Sequence, residues 1–196
     1  MCGIVGSVNF KLSYSTVKNT MLHRGPDEQN SFPADNIDLY HLRLSILDIA
    51  GGKQPMHLAG RYTIIFNGEI YNHNDLRKQF GLVGETNSDT ETLLLLYRKM
   101  GPSLLDHLDG MFVFAIYDNI EKTLFIARDR AGKKPVYFYK DADKIVFASE
   151  LNCLRALLPL EMESNNFYHF TRLGAFYRNL TPYKNVTELS GGSFLM

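Results

Sequence analysis

Apolar and β-branched residues recur along this chain in short runs, and the runs fall into two kinds. Segments rich in β-branched and aromatic side chains at Ile4 to Val8, Tyr62 to Phe66, Met111 to Tyr117, Thr123 to Ala127, Pro135 to Tyr139 and Lys144 to Ala148 predict strands. Several are apolar on both faces, which predicts sheets covered on both sides. Helical signals punctuate them. Ser88 can cap a helix from Asp89 to Met100, Glu91 stands where a capping box would need it, and Gly101-Pro102 ends the pattern. Shorter helices are predicted at Ser15 to Leu22, Asn74 to Phe80, Ser103 to Leu108 and Glu150 to Leu158. Strand clusters between helices, without regular βαβ alternation, predict an α+β layered fold. No linker, repeat or low-complexity stretch divides the chain, so residues 1–196 are expected to form a single domain.

Composition narrows the function. The 196 residues carry 21 basic and 21 acidic side chains, a net charge of zero, which argues against a nucleic-acid partner. The longest apolar run, Met111 to Tyr117, falls far short of a membrane span, and the first residues lack the pattern of a signal peptide; a cytoplasmic location and no membrane partner are expected. Two cysteines, Cys2 and Cys153, cannot make a disulfide framework. The six histidines are too dispersed for a metal site, no nucleotide-binding loop is present, and no cofactor is expected. Asn179-Leu180-Thr181 and Asn185-Val186-Thr187 fit the glycosylation pattern, which a cytosolic chain would not use.

The candidate chemistry begins at Cys2. By itself a cysteine there is an ordinary terminal residue or a small core side chain, but Gly3-Ile4-Val5-Gly6 leads straight into an apolar strand that would anchor it. Removal of Met1 would leave a free α-amine on the residue that carries the thiol. An amine of pKa about 7.7–8.0 beside a thiol of about 8.5 is poised for proton transfer, so nucleophile and base could be one residue. An acyl-transfer site also needs oxyanion donors. Asn67-Gly68-Glu69 could supply a side-chain amide and an unobstructed N–H, although Asn-Gly is equally the strongest hairpin-turn signal. Arg43, a lone cation in the apolar run Leu42-Arg43-Leu44-Ser45-Ile46, suits capture of a carboxylate or a structural ion pair. Asp89, in the first turn after Ser88, could bind a cation or simply complement the helix dipole.

Read together, these residues resemble the class II glutamine amidotransferases, and within them the glutaminase domain of glutamine-dependent asparagine synthetases. The resemblance runs through Met1-Cys2-Gly3-Ile4-Val5-Gly6, His23-Arg24-Gly25-Pro26-Asp27, Arg43-Leu44-Ser45-Ile46, Asn67-Gly68-Glu69-Ile70-Tyr71-Asn72, Ser88-Asp89-Thr90-Glu91, Asp109-Gly110-Met111-Phe112 and Arg128-Asp129-Arg130, with Gly132, Pro135, Tyr137 and Ser149-Glu150 behind them. The His-Arg-Gly-Pro-Asp form is similar to the asparagine-synthetase branch. The resemblance implies a four-layer αββα N-terminal nucleophile hydrolase sandwich of two antiparallel sheets. It implies that Cys2 is the nucleophile with its own α-amine as base, and that Asn67 and the Gly68 N–H form the oxyanion hole. Arg43 would then bind the α-carboxylate of glutamine, and Glu69 and Asp89 its α-ammonium.

Departures from the family pattern are few. The segment before His23 is short, Lys133 precedes Lys134 where an apolar residue is more usual, and Ala131 replaces a larger apolar side chain. Ser190-Gly191-Gly192-Ser193 is similar to a pyrophosphate-binding loop but lacks the acidic residue that would follow, and reads as the turn into a last strand. Residues 1–196 hold no ATP-dependent synthetase domain of the kind the resemblance implies, which fits either a stand-alone subunit or a piece of a longer enzyme. The expectation is a glutaminase that feeds ammonia to a separate synthetase-type subunit, with the aromatic segment Phe167 to Tyr177 as a docking surface or as a helix packed on its own domain. The alternatives are a catalytically silent regulator of the same fold and an N-terminal nucleophile hydrolase acting on another amide.

Overall fold

A computed structural model describes residues 1–45, 48 and 50–196 of the chain; the Ile46 end of the Arg43 motif lies outside the described residues. Eleven strands are described: β1 (Gly3–Val8), β2 (Glu28–Ala34), β3 (Ile37–Arg43), β4 (Met56–Leu58), β5 (Tyr62–Ile70), β6 (Gly110–Asp118), β7 (Thr123–Arg128), β8 (Tyr137–Lys140), β9 (Ile145–Ala148), β10 (Val186–Glu188) and β11 (Phe194–Leu195). The helices are α1 (Tyr14–Met21), α2 (His73–Phe80), α3 (Asp89–Met100), α4 (Leu151–Leu157) and α5 (Ser164–Leu173), with 3-10 turns at Leu22–Arg24 and Gly101–Asp106. One antiparallel sheet has the order β10-β8-β9-β1-β3-β2 and the other β11-β7-β6-β5-β4.

Three apolar layers hold these elements together. Ile4, Leu39, Ile65, Val113, Ala115, Ile126 and Phe147 lie between the sheets. Val17 and Met21 of α1 and Cys153 and Leu154 of α4 cover the outer face of the β1 sheet against Val5, Tyr40 and Leu42. Leu93, Leu94 and Leu96 of α3 and Leu76 of α2 cover the other sheet against Ile64, Phe66 and Phe114. The result is the αββα sandwich, and it accounts for strands that are apolar on both faces: each face meets a different layer. Cys153 is fully buried in the helical layer, where burial pushes its thiol up to about 11 and makes it inert.

Several local expectations need correction. The Asn67-Gly68 pair is not a hairpin turn; β5 runs straight through it and pairs with β6 from Tyr62↔Asp118 to Ile70↔Gly110. Continuous antiparallel pairing with β6 along the whole segment outweighs the local turn preference. Ser88 caps α3 through its hydroxyl, which accepts from Thr90 N at 3.1 Å, but Glu91 does not complete a capping box. The preceding loop folds over Glu91 and offers Glu85 N, Thr86 N and the Thr86 hydroxyl, Arg77 Nη2 of α2 adds a fourth donor, and Ser88 N donates to Thr86 Oγ1. A carboxylate with four donors, one of them cationic, has no reason to reach back to the cap. A 3-10 turn at Gly101–Asp106, continuous with the end of α3, stands in place of the separate helix expected at Ser103 to Leu108. Strands β2 and β3 escaped prediction because β2 is a polar edge strand carrying Pro33 and because β3 buries Asp38, His41 and Arg43 alongside its apolar residues.

Candidate active site

At one end of the sandwich the two sheets leave a cavity of about 140 Å³ whose walls include Cys2, Arg43, Asn67, Gly68, Glu69 and Asp89. Six residues spread over 88 positions of sequence therefore meet there: Cys2 from the head of β1, Arg43 from the end of β3, Asn67, Gly68 and Glu69 from β5, and Asp89 from the start of α3.

Cys2 stands just before β1 in the middle of its sheet. The β1–β3 register pairs Gly3 with Leu42, which sets Cys2 beside the end of β3 where Arg43 emerges. Its thiol lies 3.6 Å from Leu44 O and accepts from Leu44 N at 3.4 Å. Arg24 Nε donates to Cys2 O at 2.9 Å, while Arg24 Nη1 holds Glu150 at 3.0 Å; the terminal segment is thus fixed by the His-Arg-Gly-Pro-Asp turn rather than frayed. Ser149 Oγ accepts from Ile4 N at 3.0 Å on the other side. Burial pushes the Cys2 thiol up from the ordinary cysteine value, against the Leu44 N–H, the terminal ammonium and the Arg43 and Arg24 guanidinium groups.

Asn67 is 1% exposed, and its Nδ2 has no partner among the described residues. A buried amide donor without an acceptor costs about 1–3 kcal/mol, so the strand holds it there at a cost that an incoming acceptor would offset. Gly68 makes the edge of the cavity thin: a Cβ at this position would collide with the Met111 backbone carbonyl of the paired strand. Two buried groups from the same neighbourhood fix this stretch. Phe66 N donates to Gln54 Oε1 at 2.6 Å, and His41 Nε2 donates to Phe66 O at 3.0 Å across the inter-sheet gap. His41 is fully buried and its pKa is pushed down to about 4 by that burial.

Of the two readings open for Arg43, the structure shows the ion pair and leaves the side chain on the cavity wall. It forms an ion pair with Glu28 at 3.1 Å, donates to Asp48 O at 2.9 Å, and still lines the cavity. Asp89, buried at the start of α3, accepts from Ile70 N at 3.1 Å, so it ties the helix to the end of β5. Burial raises the pKa of its carboxyl, outweighing the Ile70 and Thr90 N–H groups. Glu69 is exposed and sits at the rim.

Three further wall residues have no role that the sequence alone assigns. Gln54 bridges β5 to Thr90 of α3, Met111 backs Gly68, and Lys134 enters from the turn after β7. Only Lys134 stood out beforehand, as the second of two adjacent lysines in a position where one is usual. Among the described residues no cluster of His, Cys, Asp and Glu has the geometry of a metal site, and no helix is long and apolar enough to cross a membrane.

A family model described as a glutamine amidotransferase domain matches residues 1–196. The chain belongs to the glutamine amidotransferase domain family. It is 41% identical over 169 residues to the glutamine-hydrolyzing asparagine synthetase 3 of Bacillus subtilis (strain 168), covering 80% of this chain and 28% of that protein. It is 38% identical over 171 residues to the glutamine-hydrolyzing asparagine synthetase B of Escherichia coli (strain K12), covering 82% of this chain and 30% of the relative. The chain thus spans under a third of the length of these curated relatives. Among solved structures, a glutamine phosphoribosylpyrophosphate amidotransferase from B. subtilis complexed with ADP and GMP superimposes with a TM-score of 0.64 at 18% identity, over 98% of this chain and 46% of that one. The fold is therefore that of this amidotransferase, and the cavity at Cys2 lies in a glutamine amidotransferase domain.

Proposed function

We propose that this domain hydrolyses glutamine through Cys2 after Met1 is removed. The observation that carries the reading is the shared wall: a thiol at the head of β1 and an unpartnered Asn67 amide from the opposite sheet face the same small cavity. The freed α-amine takes the Sγ proton, and the thiolate attacks the side-chain amide carbon of glutamine. The carbonyl π pair moves onto oxygen, where Asn67 Nδ2 and the Gly68 N–H stabilise it. Collapse restores the carbonyl, breaks the C–N bond and expels ammonia carrying the proton held by the amine, leaving a γ-glutamyl thioester. Water, deprotonated by the same amine, attacks the thioester carbon; Sγ leaves as thiolate and is reprotonated, and glutamate departs. Arg43 at one side and Asp89 with Glu69 at the other suit the carboxylate and ammonium of an amino-acid zwitterion, and holding both ends fixes the distance from the amide to the sulfur. This charge pair favours glutamine over an uncharged amide and favours an enzyme over a silent regulator.

The ammonia acceptor belongs to a synthetase-type, ATP-dependent partner, and the setting is cytoplasmic, one domain over residues 1–196; the names of the relatives, glutamine-hydrolyzing asparagine synthetases, support use of the ammonia in an amidation. The test is glutamate release from glutamine by protein whose N-terminus has been verified by mass spectrometry. Wild type with a free Cys2 amine is expected to release glutamate and Cys2→Ala none; a processed wild type that releases none would falsify the reading. Amidation by the partner synthetase supported by glutamine, and lost in Cys2→Ala while free ammonia still works, checks the partnership.

A further inference from the structure

Lys134 is a buried cation that the hydrolytic scheme above does not use. It is 5% exposed, yet it lines the cavity with Cys2, and its ammonium has one hydrogen-bond partner among the described residues, the thioether of Met1 at 3.3 Å. A thioether is a weak acceptor. The position is nevertheless enforced by the backbone: Asp129 Oδ2 accepts from Lys134 N at 3.1 Å, and Asp129 Oδ1 from Lys133 N at 2.9 Å. Arg128 Nε donates to Lys134 O at 2.7 Å. A turn with that many restraints delivers the ammonium against a residue whose loss the chemistry requires. Once Met1 is gone, the ammonium faces the cavity with its only described partner removed.

We propose that Lys134 is a positioning residue for the Cys2 nucleophile: with Met1 removed, its ammonium stands beside the new N-terminus, keeps the α-amine in its neutral, proton-accepting form and favours the thiolate. The inference rests on the glutaminase reading of the same site. A nearby positive charge opposes protonation of an amine and stabilises a thiolate, so both groups titrate lower. The other charged groups that face the site come from every surrounding element: Arg24 from the 3-10 turn, Arg43 from β3, Glu69 from β5, Asp89 from α3 and Asp129 from the β7–β8 turn. Arg24 acts in the same direction but is held by Cys2 O and Glu150, whereas the Lys134 ammonium has no carboxylate within ion-pair distance among the described residues. Burial and then Arg24 push the Lys134 ammonium below the ordinary lysine value, against Asp129, Cys2 and Glu69.

The experiment measures the pH dependence of Cys2 alkylation by iodoacetamide, read by mass spectrometry on processed wild type, K134M, K134Q and K134R. Removing one charge at short range in a partly desolvated site is expected to raise the midpoint by about one pH unit in K134M and K134Q, with K134R restoring it. The acidic limb of kcat/KM for glutamine is expected to rise by the same amount while the variants stay folded by thermal melting. K134M and K134Q serve as independent charge-free replacements should one of them not fold. Alkylation profiles identical to wild type in either folded variant overturn the proposal, whatever happens to overall rate. If the alkylation midpoint moves but no form releases glutamate, the role of Lys134 stands and the glutaminase reading falls.

Discussion

At the end of the sandwich where Cys2 enters β1, a buried amide nitrogen of Asn67 has no partner among the described residues; at the opposite end of the same inter-sheet core, the buried hydroxyl of Tyr117 is in the same position. Both residues line a cavity, and the far one, at about 400 Å³, is the larger. Their surroundings separate them. The far cavity is walled by Val8, Ile37, Leu124, Ile126, Phe138 and Ile145, apolar ends of the same strands, with Lys122 and Lys140 out in solvent. The near one brings a thiol, a glycine edge, two cations and two carboxylates within reach of the orphaned donor. An unpaired buried polar atom is therefore a site only where convergent chemistry surrounds it; elsewhere it is a small packing cost.

The largest expected effect that separates the two ends is on turnover. Asn67→Ala is expected to lower kcat for glutamine by about 10²–10³-fold, the size of losing one oxyanion donor, with KM little changed, in steady-state glutamate release. Tyr117→Phe at the other end is expected to leave kcat unchanged. Equal losses from both substitutions would erase the distinction.

A second effect comes from His41, which supports the near end from beneath. Its folded pKa of about 4 lies below the unfolded value of about 6.5, so between these values the unfolded chain binds a proton that the native chain refuses. Stability from this group is full above pH 6.5 and is lost as pH falls through 4, by about 3 kcal/mol in all. Urea midpoints at pH 7 and pH 4.5 should show a part of that loss that disappears in His41→Asn. An unchanged slope in the variant would place the acid sensitivity elsewhere.

Smaller effects sharpen the far end. Tyr117→Phe removes the unpartnered hydroxyl and is expected to raise stability by about 1 kcal/mol in the same urea assay. Leu173, on the outer α5 helix and 61% exposed, is expected to change stability by less than about 0.5 kcal/mol on replacement by Ser. No residue of α5 is fully buried, yet Asn166, Phe167 and His169 are half-buried and Asn166 Nδ2 donates to Thr181 O at 2.7 Å, so the helix is tied to the segment that follows it.

How far the site could be read from the chain differs from residue to residue. Cys2, Asn67, Gly68, Arg43, Asp89 and Glu69 were named from local chemistry and motif order, and all six line one cavity. Gln54 and Lys134 were not assigned roles, because their relevance depends on partners far away in sequence: Phe66 and Thr90 for Gln54, and the Asp129 turn and the N-terminus for Lys134. The ion pair of Arg43 likewise depends on Glu28, which only the β2–β3 pairing brings opposite it.

By itself the sequence determined the period of each element, the helix from Asp89 to Met100, the apolar faces that demand cover on both sides of each sheet, and the identity of the chemical groups. Those are properties of side chains and their immediate neighbours. The tertiary structure decided that Asn67-Gly68 is a strand edge and not a turn, that Glu91 serves the loop and not the cap, and that Lys134 reaches the nucleophile. Each of these was a contest between a local preference of about 1 kcal/mol and several long-range hydrogen bonds acting together, and the long-range partners exist only once both sheets have formed.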